Sequence, residues 1–313
     1  MPPNAPGAVV GFWHYAVFTA VLLAVVGADL VTSARRKAPP SPRAAAVWVV
    51  GWLALAAAFG FWLGHVFGTP HSLAFFAAYV TEEALSLDNM MVFVAVFGYF
   101  AIPSELQHRV LGWGIAGAIV MRALMIYAGV ELLDRVGWIT YVFGAFLVVG
   151  GLRLLRPQRN TGPTGGWIVR GVNRLVPVTE GLRGASFFAR LDGRRAVTPL
   201  FVTLIVIELS DVVFATDSIP AVFGVTRDPY LVYTSNILAV LGMRSLYFLV
   251  AGVLPRLRFL RLGLAAILVF VGGKMLAADV IEIPIGWSLL AILSAIGAAT
   301  VASLIRERRH PER

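Results

Sequence analysis

Long apolar runs recur along this 313-residue chain, and short polar connections separate them. Runs of about 20 apolar residues are long enough for a helix to cross a hydrocarbon layer ~30 Å thick. The pattern predicts nine spans, at about 9–31, 44–66, 72–100, 109–130, 136–155, 198–224, 230–253, 261–280 and 285–305. We therefore expect an all-α polytopic membrane protein, with 1–313 forming a single transmembrane domain.

The composition agrees with this fold class. Hydrophobic residues make up 58% of the chain and charged residues 14%. In soluble domains, charged residues make up about 25%. Its 31 glycines suit helices that pack closely in lipid. Membrane lipid is therefore a predicted partner.

Basic residues account for the net charge of +9, and they concentrate in alternate connections. With the N-terminus outside, the inside segments hold Arg35, Arg36, Lys37, Arg43, Arg109, nine Arg between 153 and 195, Arg256, Arg258, Arg261, Arg306, Arg308, Arg309 and Arg313. The outside segments hold only Arg135 and Arg227. Because cytoplasmic loops are enriched in Lys and Arg, we expect a multi-pass protein of the cytoplasmic (inner) membrane with its C-terminus inside. The basicity is a topology signal and does not indicate nucleic-acid binding.

Six carboxylates interrupt two of the predicted spans. They are Glu82, Glu83 and Asp88 in the third span, and Glu208, Asp211 and Asp217 in the sixth. An ionisable side chain near the bilayer centre costs ~2.5–3.5 kcal/mol on insertion scales and marks a functional site. Three intramembrane cations, Arg122, Arg244 and Lys274, are possible charge partners. They neutralise only part of the set, so the remaining carboxylates must be protonated, solvated or bound to a cation.

The two acidic spans begin similar three-helix units, at about 72–155 and 198–280. Asp88 lies 34 residues before the Met-Arg pair that ends at Arg122, and Asp211 lies 33 residues before the pair that ends at Arg244. The predicted topology runs these units in opposite directions, which is the inverted repeat of many secondary transporters. A Gly/Arg-rich stretch, 157–197, is predicted to be a cytoplasmic linker with a short amphipathic piece near 172–188.

The spacing of the polar residues predicts which of them share a helix face. Glu82, Ser86 and Asn89 lie at i, i+4 and i+7, and Glu208 and Asp211 at i and i+3. Asp217 lies six residues beyond Asp211 and faces elsewhere on a regular helix. Pro220 predicts a kink or short break that would bring Asp217 back and free carbonyl oxygens for coordination.

The available ligands in these spans are oxygen atoms. Carboxylates, amides and hydroxyls favour Mg²⁺, Ca²⁺ or Mn²⁺ over softer metals. The chain has no Cys, which excludes thiolate metal sites, disulfides and cysteine nucleophiles. Motifs of metalloproteases, serine hydrolases and P-loop proteins are missing, so we expect a protein that is not an enzyme and uses no organic cofactor.

Two segments resemble the TerC/Alx family of integral membrane proteins. They are TEEALSLDN, and the longer ELSDVVFATDSIPAVFGVTRDPYLVYTSNILAVLGMRSLYFLVAG, and the resemblance extends over about 72–280. It implies an inverted-repeat fold and export of Mn²⁺ as the transported substrate. The family's pattern places the metal ligands at Glu82, Asp88, Asn89, Glu208, Asp211 and Asp217, and leaves Glu83 outside the pattern. The family's name refers to tellurium resistance, for which this sequence has no soft ligand.

These observations lead to one expected function and two alternatives. We expect export of Mn²⁺ from the cytoplasm through the intramembrane carboxylates, with protons as the counter-ion. The alternatives are transport of Ca²⁺ or another divalent cation, and a membrane assembly or stress factor whose buried acids only hold helices together.

Overall fold

The computed structural model describes residues 11–35, 41–136, 138–155, 178–179, 181–191, 194–251, 259–281 and 283–309. These residues form nine α-helices and one two-stranded hairpin. The helices are α1 (Phe12–Arg35), α2 (Pro42–Phe67), α3 (Thr69–Tyr99), α4 (Ser104–Arg135), α5 (Ile139–Leu154), α6 (Pro199–Val225), α7 (Pro229–Val250), α8 (Leu260–Leu276) and α9 (Ile285–Arg309). Each predicted span therefore corresponds to one helix, and the all-α fold class is confirmed.

Local sequence explains where several helices begin. Proline occupies the first turn of α2, α3, α6 and α7, where its missing N–H is tolerated. The Asp228 side chain caps α7 by accepting hydrogen bonds from the N–H groups of Tyr230 and Leu231. Gly68 joins α2 to α3 with a φ of +95°, which residues with side chains rarely adopt.

Four of the described helices contain segments that are long and apolar enough to cross a membrane. These segments are Pro42–Phe67, Ser104–Leu133, Pro199–Val225 and Ile285–Ser303. Helix α3 has 31 residues, a length of about 46 Å at 1.5 Å per residue, but carries three carboxylates. Helices α5 and α8 are short, with 16 and 17 residues, and pack against each other. The protein is an integral multi-pass membrane protein.

Small residues bring α5 and α8 into close contact. A Cβ atom added to Gly272 would lie 2.6 Å from the carbonyl oxygen of Gly144, and one added to Gly151 would lie 2.8 Å from that of Ala265. The residue number rises along α5 as it falls along α8, so the two helices are antiparallel.

The other corresponding helices of the two units also run in opposite directions. Helix α4 lies parallel to α6, since Gly117 adjoins Glu208 and Gly129 adjoins Phe223. Short turns reverse the chain between α3 and α4 and between α6 and α7. Consequently α3 opposes α6, and α4 opposes α7. These are the directions that an inverted repeat requires, and the repeat itself stays a prediction.

Part of the stretch predicted as a linker is folded. Strands β1 (Phe188–Leu191) and β2 (Arg194–Val197) form an antiparallel hairpin that leads directly into α6. The Thr198 hydroxyl donates hydrogen bonds to the carbonyl oxygens of Ser186 and Phe187, and the Arg109 guanidinium lies 5.4 Å from the centre of the Phe187 ring. The hairpin is therefore attached to the beginnings of α4 and α6. Residues 172–177 and 180 of the predicted amphipathic piece lie outside the described residues, and its last residue, Phe188, begins β1.

Candidate functional site

The centre of the helix bundle is an ion-pair network around Arg122 of α4. Its Nε donates to Asp211 Oδ2 at 3.0 Å and its Nη2 to Asp211 Oδ1 at 2.9 Å, a two-pronged contact with α6. Its Nη1 donates to Glu82 of α3 and, at 3.1 Å, to Asn236 Oδ1 of α7. We call Glu82, Arg122, Asp211 and Asn236 the Arg122 network. It joins the first two helices of one predicted repeat to the first two of the other.

The Arg122 network is buried in the protein interior. The side chains of Glu82, Arg122 and Asn236 are inaccessible to solvent, and Asp211 is 3% exposed. Two carboxylates face one guanidinium, so the network is one negative charge in excess. A buried pair that loses one partner leaves an uncompensated charge, which is strongly destabilising. Two of the six acids therefore have a structural role whatever else they do.

A polar face of α3 continues from this network. Glu82, Ser86 and Asn89 are all buried, as their predicted common face requires. Glu82 Oε2, Ser86 Oγ and Asn89 Nδ2 have no hydrogen-bond partner among the described residues. Burying a polar atom without a partner costs about 1–3 kcal/mol, so such atoms call for water or a ligand.

Glu208 of α6 lies beside the Arg122 network but outside it. Its Oε1 is buried and has no hydrogen-bond partner among the described residues. Glu208, Asp211 and Arg244 line a cavity of about 20 Å³, whose remaining walls are Phe93, Leu111, Gly114, Ile115, Ala118, Ile207 and Met243. A cavity of this size can hold one water molecule or an ion of similar size. Glu208 thus offers a carboxylate oxygen next to a small internal space.

Asp217 lies beside α5, and of the predicted kink or short break at Pro220 the break is absent. Helix α6 runs unbroken from Pro199 to Val225, with Pro220 inside it. Pro220 lies three residues after Asp217 and near the end of α6, where few following turns depend on its missing N–H. Asp217 Oδ1 therefore points towards α5, 3.8 Å from a Cβ placed on Gly150.

The structure does not gather the described acids around one point. Among the residues it describes, no three His, Asp or Glu side chains form a group that could hold a metal ion. Asp88 belongs to α3, but its side chain lies outside the described residues. Lys274 Nζ donates to the Ser288 hydroxyl of α9 at 3.1 Å. The ligand set of Glu82, Asp88, Asn89, Glu208, Asp211 and Asp217 stays a prediction.

Sequence reasoning missed several residues of this site. Asn236 was not among the predicted site residues, and no acid was assigned to Arg122, which contacts Asp211 of the opposite unit. Gly114 and Gly117 gave no signal, although a Cβ at Gly117 would lie 2.5 Å from Glu208 Oε2. Their spacing of three residues places both on one face of α4, which is the only hint that the sequence contains.

Known proteins resemble this chain over most of its length. The sequence profile of the integral membrane protein TerC family matches residues 67–311. An uncharacterised membrane protein of Myxococcus xanthus is 42% identical over 302 residues, which cover 96% of this chain and 94% of that protein. A protein of Escherichia coli (strain K12), named Alx and described as a proposed membrane-bound redox modulator, is 42% identical over 296 residues, or 91% of each chain.

A more distant relative extends the same comparison. An uncharacterised membrane protein of Rickettsia felis is 34% identical over 292 residues, which cover 93% of this chain and 97% of that protein. No solved structure matches this chain at a significant level. The profile match covers residues on both sides of the region in which the motifs were recognised. This chain belongs to the integral membrane protein TerC family.

Proposed function

We propose that this protein transports a hard divalent cation across the cytoplasmic membrane, and that its substrate is Mn²⁺ exported from the cytoplasm. The observation that carries the proposal is the unpartnered, buried Glu208 carboxylate oxygen beside an internal cavity. Proteins tolerate such an atom at membrane depth where it serves a substrate or ion route.

The charges around the cavity support a cation as the substrate. Arg122 donates two hydrogen bonds to Asp211 and one to Glu82 Oε1. Glu82 Oε2 has no hydrogen-bond partner among the described residues. The excess negative charge of this network and the Glu208 carboxylate lie close together. Arg244 adds one positive charge at the cavity wall, so these five side chains together retain one excess negative charge, which favours a cation in this part of the bundle.

The size of the cavity implies that the helices must move during transport. Mn²⁺ prefers about six oxygen ligands, whereas a cavity of about 20 Å³ holds a single water-sized body. The ion therefore needs additional ligands or a wider space than this arrangement provides. Rocking of the unit α3–α5 against α6–α8 would supply both, with access alternating between the two membrane faces.

The chemistry of the chain limits what a redox-related role could mean. Alx is described as a proposed redox modulator, but this chain contains no Cys with which to exchange electrons or disulfides. This chain therefore cannot act through thiols of its own, and transport of a metal is the route by which the proposed function would influence redox state. Oxygen ligands favour Mn²⁺, Ca²⁺ or Mg²⁺, and the assignment to Mn²⁺ rests on the family resemblance.

Measurements of cellular Mn test this proposal. Cells that express Glu208→Gln in place of the wild-type protein should retain more Mn after a Mn²⁺ challenge, because the amide removes the negative charge and keeps the side-chain size. Arg135→Met, an exposed substitution on α4, is the control and should leave export unchanged. Export by Glu208→Gln at the wild-type rate would contradict the assignment of this residue.

A structural assembly factor is the second candidate, and the Arg122 network favours it. Its charges bind helices together without any substrate. In that case, a variant that removes all three charges of the network, Glu82→Gln with Arg122→Met and Asp211→Asn, should retain cellular function. For a transporter, the same triple variant should lose export, because it removes a carboxylate beside the cavity.

A further inference from the structure

Helix α4 presents two glycines to the carboxylate of Glu208. A Cβ placed on Gly117 would lie 2.5 Å from Glu208 Oε2, 2.7 Å from its carboxyl carbon and 2.8 Å from Oε1. One placed on Gly114 would lie 3.3 Å from Oε1. At Gly117 the three nearest atoms all belong to this carboxylate, so the missing side chain is what leaves room for it.

Other glycines in the chain show that this contact is specific. Around Gly98 and Gly273, an added Cβ would meet no atom within 4 Å, and around Gly144 and Gly272 it would meet the backbone of a neighbouring helix. Carboxylate oxygens also lie near Gly150 and Gly242, but at 3.8 and 3.5 Å from the added Cβ, which is ordinary contact, whereas at Gly117 the distance is 2.5 Å. The position of Gly117 on α4 adjoins the cavity wall formed by Gly114, Ile115 and Ala118.

We propose that Gly117, supported by Gly114, is a positioning residue that holds the Glu208 carboxylate against α4 at the edge of the cavity, where it can take up a hard divalent cation. The proposal rests on the proposed transport function and adds a specificity-determining position to it. A methyl group at 117 would displace the carboxylate from α4. In that variant, the shorter carboxylate of Glu208→Asp would leave room for the methyl group, although its charge would lie farther from α4.

The first experiment tests the geometry without reference to transport. Purified protein is compared in the wild-type and Glu208→Ala backgrounds, with and without Gly117→Ala, by thermal unfolding. Gly117→Ala should lower Tm in the wild-type background and should have little effect when Glu208 is already truncated. Equal shifts in both backgrounds would overturn the proposal, because the methyl group would then be meeting something else.

The second experiment tests the consequence for the ion. The initial rate of Mn²⁺ uptake into proteoliposomes is measured as a function of Mn²⁺ concentration. Displaced supporting groups typically weaken metal affinity by about 10- to 100-fold, so Gly117→Ala should raise KM by about 10-fold, and Gly114→Ala should raise it less. Gly98→Ala is the control with no expected change. Unchanged KM in Gly117→Ala would contradict the positioning role.

A rescue variant separates positioning from general damage to the fold. Gly117→Ala with Glu208→Asp should recover part of the lost affinity, because the shorter side chain makes room for the methyl group. No recovery, in protein that unfolds at the wild-type temperature, would contradict the proposal. If the wild-type protein itself moves no Mn²⁺, the proposed function fails, whereas the Tm comparison still decides whether Gly117 positions Glu208.

Discussion

The Arg122 network predicts a large loss of stability when its cation is removed. Arg122→Met keeps an unbranched side chain of similar length, but leaves the Glu82 and Asp211 carboxylates buried without their counter-ion. Removing one partner from a buried ion pair costs about 3–5 kcal/mol. With about 2 °C of Tm per kcal/mol in a protein of this size, the expected loss is roughly 6–10 °C.

An arginine at the C-terminal end of the same helix is a matched control. Arg135 pairs with Glu131 on the surface, and its side chain is 75% exposed. An exposed pair of this kind contributes about 0.3–0.5 kcal/mol, so Arg135→Met should change Tm by about 1 °C or less. Thermal unfolding of the detergent-solubilised proteins measures both variants.

A double variant checks that the loss at Arg122 has an electrostatic origin. Arg122→Met with Asp211→Asn should be more stable than Arg122→Met alone, because the amide removes one of the two uncompensated charges. The reasoning would be refuted if Arg122→Met unfolded within about 2 °C of the Arg135→Met control. It would also be refuted if Asp211→Asn gave no recovery.

Two further predictions concern helix packing and capping. Gly272→Ala should lower Tm by about 2–6 °C, because overpacking against the backbone of α5 costs about 1–3 kcal/mol. Gly273→Ala is its control and should not lower Tm, because a Cβ at Gly273 would meet no atom within 4 Å. Asp228→Ala should cost about 1 kcal/mol by removing the N-cap of α7, and Asp228→Ser should recover most of this loss. Thermal unfolding measures all four variants, and equal Tm values within either pair would contradict the corresponding contact.

Helices and their polar faces could be predicted because they depend on local sequence. The apolar run predicted at 44–66 is helix α2, Pro42–Phe67, and the common face of Glu82, Ser86 and Asn89 is buried as expected. The length of an apolar run predicts whether it can form a membrane-spanning helix. The period of 3.6 residues per turn predicts which side chains share a face of that helix. Neither inference needs any knowledge of which helices are neighbours.

The pairing of charges could not be predicted because it depends on packing between the two units. The sequence offered Arg122, Arg244 and Lys274 as possible charge partners without assigning them to particular acids. The packing of α4 beside α6 is what places Arg122 against Asp211. The position of Glu208 also depends on this packing, because its carboxylate occupies the space that a side chain at Gly117 of α4 would fill. Single-helix geometry contains no information of this kind.

Pro220 shows that the effect of a proline on a helix depends on where in the helix it lies. A proline removes one backbone hydrogen bond, here the one that would reach the carbonyl of Thr216, and usually bends a helix interior. In α6 it lies five residues before the final residue, Val225, and the helix continues to that end. The predicted short break is therefore absent, whereas the predicted return of Asp217 towards Asp211 stays a prediction.

Uptake of Mn²⁺ by proteoliposomes is the most direct test of the central claim. Purified wild-type protein, Glu208→Gln and Arg135→Met are reconstituted in equal amounts, and the entry of Mn²⁺ is followed with an enclosed fluorescent indicator. The account predicts uptake above that of protein-free liposomes for the wild type and for Arg135→Met, and none for Glu208→Gln. Uptake by the wild type no faster than by empty liposomes, or equally fast uptake by Glu208→Gln, would contradict it.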